Sequence, residues 1–437
     1  MHTTDQKKIV IIGAGFAGLQ LADKLAKSNY KVFLLDKHNF HQFQPLFYQV
    51  ATARIEPSSI SFPLRKVFQK HKNVHVRLAE VERINTTAQQ VVTNIGDFPY
   101  DYLVIATGCT TNFFGNETIE KLAFPMKSTT EAMALRNRIL SNFEKAVTAN
   151  PEELEGVLNI VVVGGGPTGV ELAGSLAEMK TKILPKDYPD MDFSRLNIYL
   201  LEGSPNVLGS MSDISHKKAK EYLETLGVQV KLNTIVENYD GHTVSLKDQA
   251  PIISDNLIWA AGIKGNIIEG LPEGLIQRGY RIKVDRYNRV EGFENIFALG
   301  DIAHMETELY PNAHPQVANV AINQAKNLAD NFKKGPTTST WKPFEYKNPG
   351  SMATVGKRKA VVDLPKFSFQ GRMAWFTWMF LHLMLILSVR NKFFIFINWA
   401  ISYVTNDTTL RLILNPSKRQ IDVIEENELY NKQHPAS

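Results

Sequence analysis

The sequence predicts an α/β protein built on two copies of one strand–turn–helix plan, followed by a separate helical region rich in aromatic residues. Three observations carry this. The apolar run KIVII leads straight into the glycine turn GAGFAG, the run IVVV at residues 160–163 leads into GGGPTG, and residues 373–404 hold the most apolar stretch of the chain. Buried β-branched strands alternating with helical periodicity form parallel sheets covered by helices.

A chain of 437 residues exceeds one ordinary core. The expected division is a first domain in two parts, 1–115 and 291–335, a second domain with crossover segments at 116–290, and a C-terminal membrane-associating domain at 336–437. The lone cysteine, Cys109, cannot form an intramolecular disulfide. With no secretory leader in MHTTDQKKIV, it points to a reducing, cytoplasmic location. A net charge of +5 is too small to argue for nucleic acid, though it helps at an anionic lipid surface. His38, His41, His71 and His75 lie in polar or loop contexts, so solvated imidazoles are expected and no metal site is.

In the first unit Leu19, Leu21, Ala22, Leu25 and Ala26 recur at helical spacing behind the glycines. A helix N-terminus attracts a pyrophosphate where the backbone can come close, which requires residues without a Cβ. Gly13, Gly15 and Gly18 supply that turn, with Phe16 and Ala17 between them. Asp36 closes VFLLD eighteen residues beyond Gly18, placed to accept hydrogen bonds from an adenosine ribose, with Lys37 after it. The plainer reading of Asp36 is a strand-end carboxylate in water. The strand YDYLVIATG delivers Ala106, Thr107 and Gly108 to the same edge.

The second unit repeats this with Gly164, Gly166, Thr168 and Gly169, and Pro167 stands where a first-turn proline loses no hydrogen bond. Glu202 closes IYLLE thirty-three residues beyond Gly169, the excess being the inserted segment KTKILPKDYPDMDFSRL. Neither Gly203 nor Ser204 offers a charge to a 2′-phosphate, which favours NADH over NADPH. Ala261 and Gly262 end DNLIWAAG as Thr107 and Gly108 end the corresponding strand. Glu171 sits either beside the dinucleotide or as a helix-dipole partner, and both readings stay open.

Two dinucleotide sites in one chain suggest a bound FAD and an exchanging nicotinamide, with the chemistry carried by the cofactor. NIFALGDIAH is placed to bring Gly300 and Asp301 beside the flavin, a surface turn being the alternative. Gln316, Val317 and Ala318, at the head of the next helix, are further candidate contacts. Cys109 alone excludes a paired-thiol relay, so electrons leave another way.

Residues 373–389, bounded by Arg372 and Arg390, reach about 25 Å as a helix, short of a hydrocarbon core of roughly 30 Å. With FFIFINWAISYV following, and Arg372, Arg390, Lys392 and Arg411 nearby, residues 372–404 fit a monotopic anchor on the lipid surface. A single span at 373–389 is the second choice, and a homodimer interface or a buried helical hairpin are the remaining ones. Lys357, Arg358 and Lys359 read as a solvated turn.

Taken together, IVIIGAGFAG, QPLFYQVATARIEPSSISFPLR, VVVGGGPTGVELAGSLAE, IWAAGIKG, NIFALGD and GSMATVGKRKAVVDL resemble the type II NADH:quinone oxidoreductases along nearly the whole chain. The resemblance implies non-covalent FAD on the first unit and NADH on the second. It also implies a quinone, menaquinone or ubiquinone, reaching the flavin beneath the C-terminal helices, and reduction without proton pumping at the cytoplasmic face of the inner membrane. Glu171 falls where the family has a glutamate near the nicotinamide and quinone side of the flavin. The family's quinone-pocket motif, A-Q-x-A-x-Q-Q or A-Q-x-A-x-Q-E, matches Ala318, Asn319, Val320, Ala321, Ile322, Asn323 and Gln324. Two glutamines are replaced by amides one methylene shorter, so the head group is expected to sit differently or to be reached through water. A soluble NADH-dependent reductase of a protein carrier, and an FAD- and NADH-binding redox sensor with slow turnover, remain the alternatives.

Overall fold

Two five-stranded parallel sheets organise the computed structural model, which describes residues 6–335, 338–405 and 410–414. The first has the order Ile296–Ala298, Tyr102–Ile105, Lys8–Ile12, Lys31–Asp36, Val74–Leu78, and the second Phe124–Pro125, Asn256–Trp259, Asn159–Val163, Asn197–Leu201, Val228–Lys231. The strand before each glycine turn is central in its sheet, paired in parallel on both sides. Helices cover one face of each sheet and a three-stranded antiparallel meander covers the other. The meander is Val81–Asn85, Gln90–Thr93 and Phe98–Pro99 on the first sheet, and Val236–Tyr239, Thr243–Leu246 and Gln249–Ile253 on the second. The sheet strands are thus buried on both sides and read as unbroken apolar runs rather than alternating ones.

The chain leaves the first sheet after Tyr102–Ile105, builds the second, and returns with Ile296–Ala298 beside the strand it left. An antiparallel pair, Cys109–Thr111 with Ile263–Gly265, joins the outgoing and incoming crossings. Helix Thr129–Thr148 begins at a full capping box between Ser128 and Glu131, which satisfies two otherwise orphaned N–H groups. Helix Phe16–Leu25, behind the first glycine turn, packs on helix Ala318–Lys333.

Beyond the sheets, an antiparallel meander of Ser351–Thr354, Ala360–Asp363 and Ser368–Gln370 leads into two helices, Arg372–Leu385 and Val389–Thr405. Their inward residues recur every four positions: Ala374, Trp378 and His382 on one, Ile395 and Trp399 on the other. Trp378, Ile395 and Trp399 join the core that also holds helix Pro167–Lys182. The outer faces leave Met373, Phe380, Val389, Phe393 and Val404 between 61% and 84% exposed. Among the described residues, no helix is long and apolar enough to cross a membrane. A single span at 373–389 is ruled out locally, because the first helix stops at Leu385 where Ile386 turns extended, leaving 14 residues, about 21 Å.

The basic turn is not simply solvated. Lys357 Nζ donates to the carbonyls of Ser402 and Tyr403 at 3.0 and 2.6 Å, and the Arg358 guanidinium lies 4.4 Å from the Tyr403 ring centroid. A cation on the last free carbonyls closes the helix end and opposes its dipole.

Candidate active site

The two glycine turns are nearly superposable in their constraints. Gly13 and Gly164 have φ of +98° and +108°, and a Cβ on either would fall 2.4 or 2.7 Å from the carbonyl oxygen of Ala106 or Ala260. Gly18 and Gly169 let the helix close on its own turn, since a Cβ there would lie 1.8 or 1.9 Å from the carbonyl oxygen of Gly13 or Gly164. Gly15 and Gly166 instead face open space, which leaves a backbone cradle where a pyrophosphate fits.

The acid at the end of each second strand braces its turn. Asp36 accepts from the N–H of Ala14 at 2.6 Å and of His38 at 2.7 Å; Glu202 accepts from Gly165 at 2.5 Å and Ser204 at 2.7 Å. Neither is a plain carboxylate in water. Glu202→Ala is expected to lower the NADH-over-NADPH ratio of kcat/KM about ten-fold, the order of one or two charge-assisted hydrogen bonds. Steady-state kinetics returning an unchanged ratio would remove the ribose role.

His41 departs from the solvated expectation. It is 2% exposed, its Nδ1 meets the Ala14 carbonyl at 2.9 Å, and its ring stands edge-on to Phe16 at 5.3 Å. Strand Phe40–Gln42 pairs with Ser61–Pro63 and folds the imidazole over the first turn, where burial lowers its pKa and keeps it neutral. Lys37 points outward and is exposed.

Gly300 donates its N–H to Gln324 Oε1 at 2.7 Å, and Gln316 Nε2 donates to the Asp301 carbonyl at 3.0 Å. This turn is therefore packed against the first helix, not a surface loop: a Cβ on Gly300 would lie 3.4 Å from that of Ala17. The Cys109 thiol donates to Asp301 Oδ2 at 3.0 Å, and burial, reinforced by Asp301, pushes it up to about 12. Thr107 Oγ1 donates to the Asn266 carbonyl at 2.7 Å, and Asn266 N–H returns a bond to the Gly108 carbonyl at 3.0 Å. In the second unit Pro167 and Thr168 are exposed, Ala261 is half-buried, and the Phe114 ring leans over Gly262. Val317 is exposed, Ala318 starts its helix, and Asn319 and Asn323 are half-buried one turn apart.

A narrow cleft opens between helices Pro167–Lys182 and Phe47–Ala51, strand Ser351–Thr354 and the two C-terminal helices. Tyr48, Gln49, Thr354, Trp378 and Trp399 line it, with Arg54 and Lys357 among the other lining residues. Asn319, Asn323 and Gln324 are not in its wall. Residue-type reasoning missed the wall side chains, although QPLFYQVA carries Tyr48 and Gln49, and GSMATVGKRK carries Thr354 and Lys357.

Glu171 and Glu178 stand two turns apart on one face of helix Pro167–Lys182. Glu171 is 7% exposed and sits behind Thr354, whose N–H donates to its Oε1 at 3.3 Å. Burial pushes its carboxyl up to about 8, against the hydrogen bonds from Thr354. The Trp378 indole N–H also faces this carboxyl, without the geometry of a full hydrogen bond. A carboxyl so enclosed is not a solvent-facing dipole partner. Burial also opposes ionisation of Glu178, but Arg54 and Lys182 overcome it and hold that carboxyl at about 2. One helix face thus presents an acid that keeps its proton near neutrality and a permanent anion.

Among the described residues, no three His, Cys, Asp or Glu side chains are grouped to hold a metal ion. The chain matches the family of pyridine nucleotide-disulphide oxidoreductases over residues 7–325 and the NDH2 C-terminal domain over residues 349–406. It is 34% identical over 418 residues to the type II NADH:quinone oxidoreductase Ndh of Mycobacterium tuberculosis, spanning 91% of this chain and 88% of that one. The chain belongs to the type II NADH:quinone oxidoreductases. The type II NADH:quinone oxidoreductase of Staphylococcus saprophyticus is 29% identical, over 85% of this chain and 93% of its own. The fold is shared with the structure of NDH2 from Plasmodium falciparum in complex with NADH, at a TM-score of 0.83 and 23% identity, covering 94% and 100% of the two chains. It is also shared with the sulfide:quinone oxidoreductase of Aquifex aeolicus, at 0.70 and 19%, covering 94% and 96%. A type II NADH:quinone oxidoreductase works with FAD as cofactor and NADH as substrate, and the open cradles at Gly15 and Gly166 fit two such dinucleotides.

Proposed function

We propose that this type II enzyme binds FAD on the first glycine turn and NADH on the second, and reduces menaquinone or ubiquinone beneath the C-terminal helices without pumping protons. When bound, FAD supplies the two-electron carrier between NADH and quinone. Asp36 and Glu202 hold the two ribose ends, Gln324 and Gln316 hold the Gly300–Asp301 turn that faces the flavin, and Glu171 holds a proton for the reduced product. Asn319 and Asn323, half-buried on the helix that also carries Gln324, stand outside the cleft wall and are assigned to the flavin side of the quinone path. Residues 291–335 thereby complete the domain begun by 1–115, around the segment 116–290.

The observation that carries this reading is the cleft wall itself: a buried carboxyl, Glu171, lies behind it, and the helices that form it turn an apolar outer face to the surroundings. That face seats the enzyme on the cytoplasmic side of the inner membrane, with Arg372, Arg390 and Lys392 at its border and no need of a homodimer to cover it. Anaerobic NADH should bleach the flavin, and a short-chain quinone should restore it rapidly. Bleaching without restoration would move the electron acceptor to a protein partner.

Deleting the two helices would strip Trp378 and Trp399 from the core, so the lipid-facing surface is better tested from outside. Replacing Met373, Phe380 and Phe393 together by Asp is expected to abolish sedimentation with anionic vesicles while flavin content stays at the wild-type level. Undiminished sedimentation would place the membrane contact elsewhere.

A further inference from the structure

A run of side-chain hydrogen bonds leads from the last helix to Thr354, which lies against Glu171. Trp399 Nε1 donates to Gln49 Oε1 at 2.7 Å, Gln49 Nε2 donates to Tyr48 Oη at 3.0 Å, and Tyr48 Oη lies 3.1 Å from Thr354 Oγ1. Thr354 donates its backbone N–H to Glu171 Oε1 at 3.3 Å, its hydroxyl faces the same carboxyl without the geometry of a full hydrogen bond, and all five residues are at most 8% exposed.

The chemistry at the head of this run dictates its direction. An indole N–H can only donate, so the Gln49 carbonyl must face Trp399 and its amide nitrogen must face Tyr48. The Tyr48 oxygen is thereby engaged as an acceptor, and its own proton goes to Thr354. Burial, reinforced by Glu171, raises the phenol's pKa and keeps that proton in place. The Thr354 oxygen accepts it, which leaves the Thr354 hydroxyl proton for the Glu171 carboxyl. Every donor in the run points the same way.

We propose that Trp399 and Gln49 are positioning residues for the proton held at Glu171: the seated last helix sets the donor direction that steadies the carboxylate left when the proton passes to the reduced quinone oxygen. This rests on the quinone-reductase reading above. The proton leaves the Glu171 carboxyl, the product oxygen takes it, and the Thr354 hydroxyl donates to the carboxylate that remains.

Other ionisable groups around Glu171 are arranged so as not to obscure the effect. Tyr48 faces it from helix Phe47–Ala51 and stays protonated. His382, on helix Arg372–Leu385, lies across Trp378, stacked at 4.0 Å, and burial lowers its pKa to about 4. Arg54, Lys182 and the Lys357 N–H gather on Glu178, two turns along the helix, and Tyr403 of the last helix sits with Lys357 and Arg358. Strand Ser351–Thr354 contributes no ionisable side chain.

The test uses the full-length, flavin-loaded enzyme. NADH-reduced flavin is reoxidised anaerobically by a short-chain quinone across a range of pH, for wild type, Trp399→Phe and Thr354→Val. Loss of the donor run should move the alkaline fall of the rate upward by about half to one pH unit in both variants. Trp399→His, which restores a ring N–H, should bring it back toward wild type. An alkaline limb that moves in neither Trp399→Phe nor Thr354→Val overturns the proposal. Should Trp399→Phe lose its flavin, Thr354→Val decides alone. A wild type that quinone fails to reoxidise would instead overturn the quinone-reductase reading.

Discussion

Gly18→Ala is expected to purify colourless and to show no NADH-dependent activity. The added Cβ would sit 1.8 Å from the Gly13 carbonyl oxygen, and backbone on both sides of the clash leaves no flexible side chain to give way. The helix must therefore lift from the strand that positions it, which dismantles the cradle for the pyrophosphate. Gly15→Ala is the matched control. Its Cβ enters open space and its φ of −68° suits any residue, so the apoprotein should fold normally while flavin affinity falls. Flavin absorbance per protein, read beside circular dichroism, separates the two outcomes. A fully flavinated Gly18→Ala protein would show that the close helix approach is dispensable.

Arg54→Ala should destabilise the protein by about 3 kcal/mol, the lower end of what breaking a buried ion pair costs, because Lys182 still contacts Glu178. Glu178 is nearly inaccessible and Arg54 largely so. The pH dependence has a definite sign. Glu178 titrates at about 2 in the folded protein, below its ordinary value of 4.5. Its contribution is complete above the unfolded value and is lost as pH falls from there toward about 2. The gap between wild type and Arg54→Ala in denaturant titrations should thus be full at neutral pH and narrow in acid. A gap independent of pH would assign the loss to packing of the arginine stem rather than to charge.

Local pattern made the two turns, their strands and their acids readable, because each depends on residues within one supersecondary unit. The return of residues 296–298 to the first sheet was legible in the same way, from an apolar strand ending at Gly300. The cleft was not. Glu171 owes its raised pKa to burial, against the donors of Thr354 and Trp378, and these neighbours follow it by more than 180 residues, so no spacing rule connects them. His41 looked like a loop histidine because its burial depends on pairing with a strand twenty residues away. Lys357 looked solvated because the carbonyls it caps belong to the last helix. The end of the first C-terminal helix at Leu385 escaped too, since hydropathy runs on unbroken where the backbone turns.

The matched bracing of Asp36 and Glu202 bears on how the two nucleotides can differ. Each carboxylate is already immobilised by two N–H groups of its own loop, so the loss of side-chain freedom, about 0.5–1.5 kcal/mol for a mobile residue, falls on folding and not on ligand capture. On the proposed placement of the two dinucleotides, an adenosine half would therefore meet an equally prearranged partner on either turn. What separates a retained prosthetic group from a substrate that comes and goes must lie at the other end of each molecule. There the first unit is roofed by the Gly300 turn and its helix, whereas the second leaves Pro167, Thr168 and Gly262 open to water. Residence time, on this account, is decided by the roof.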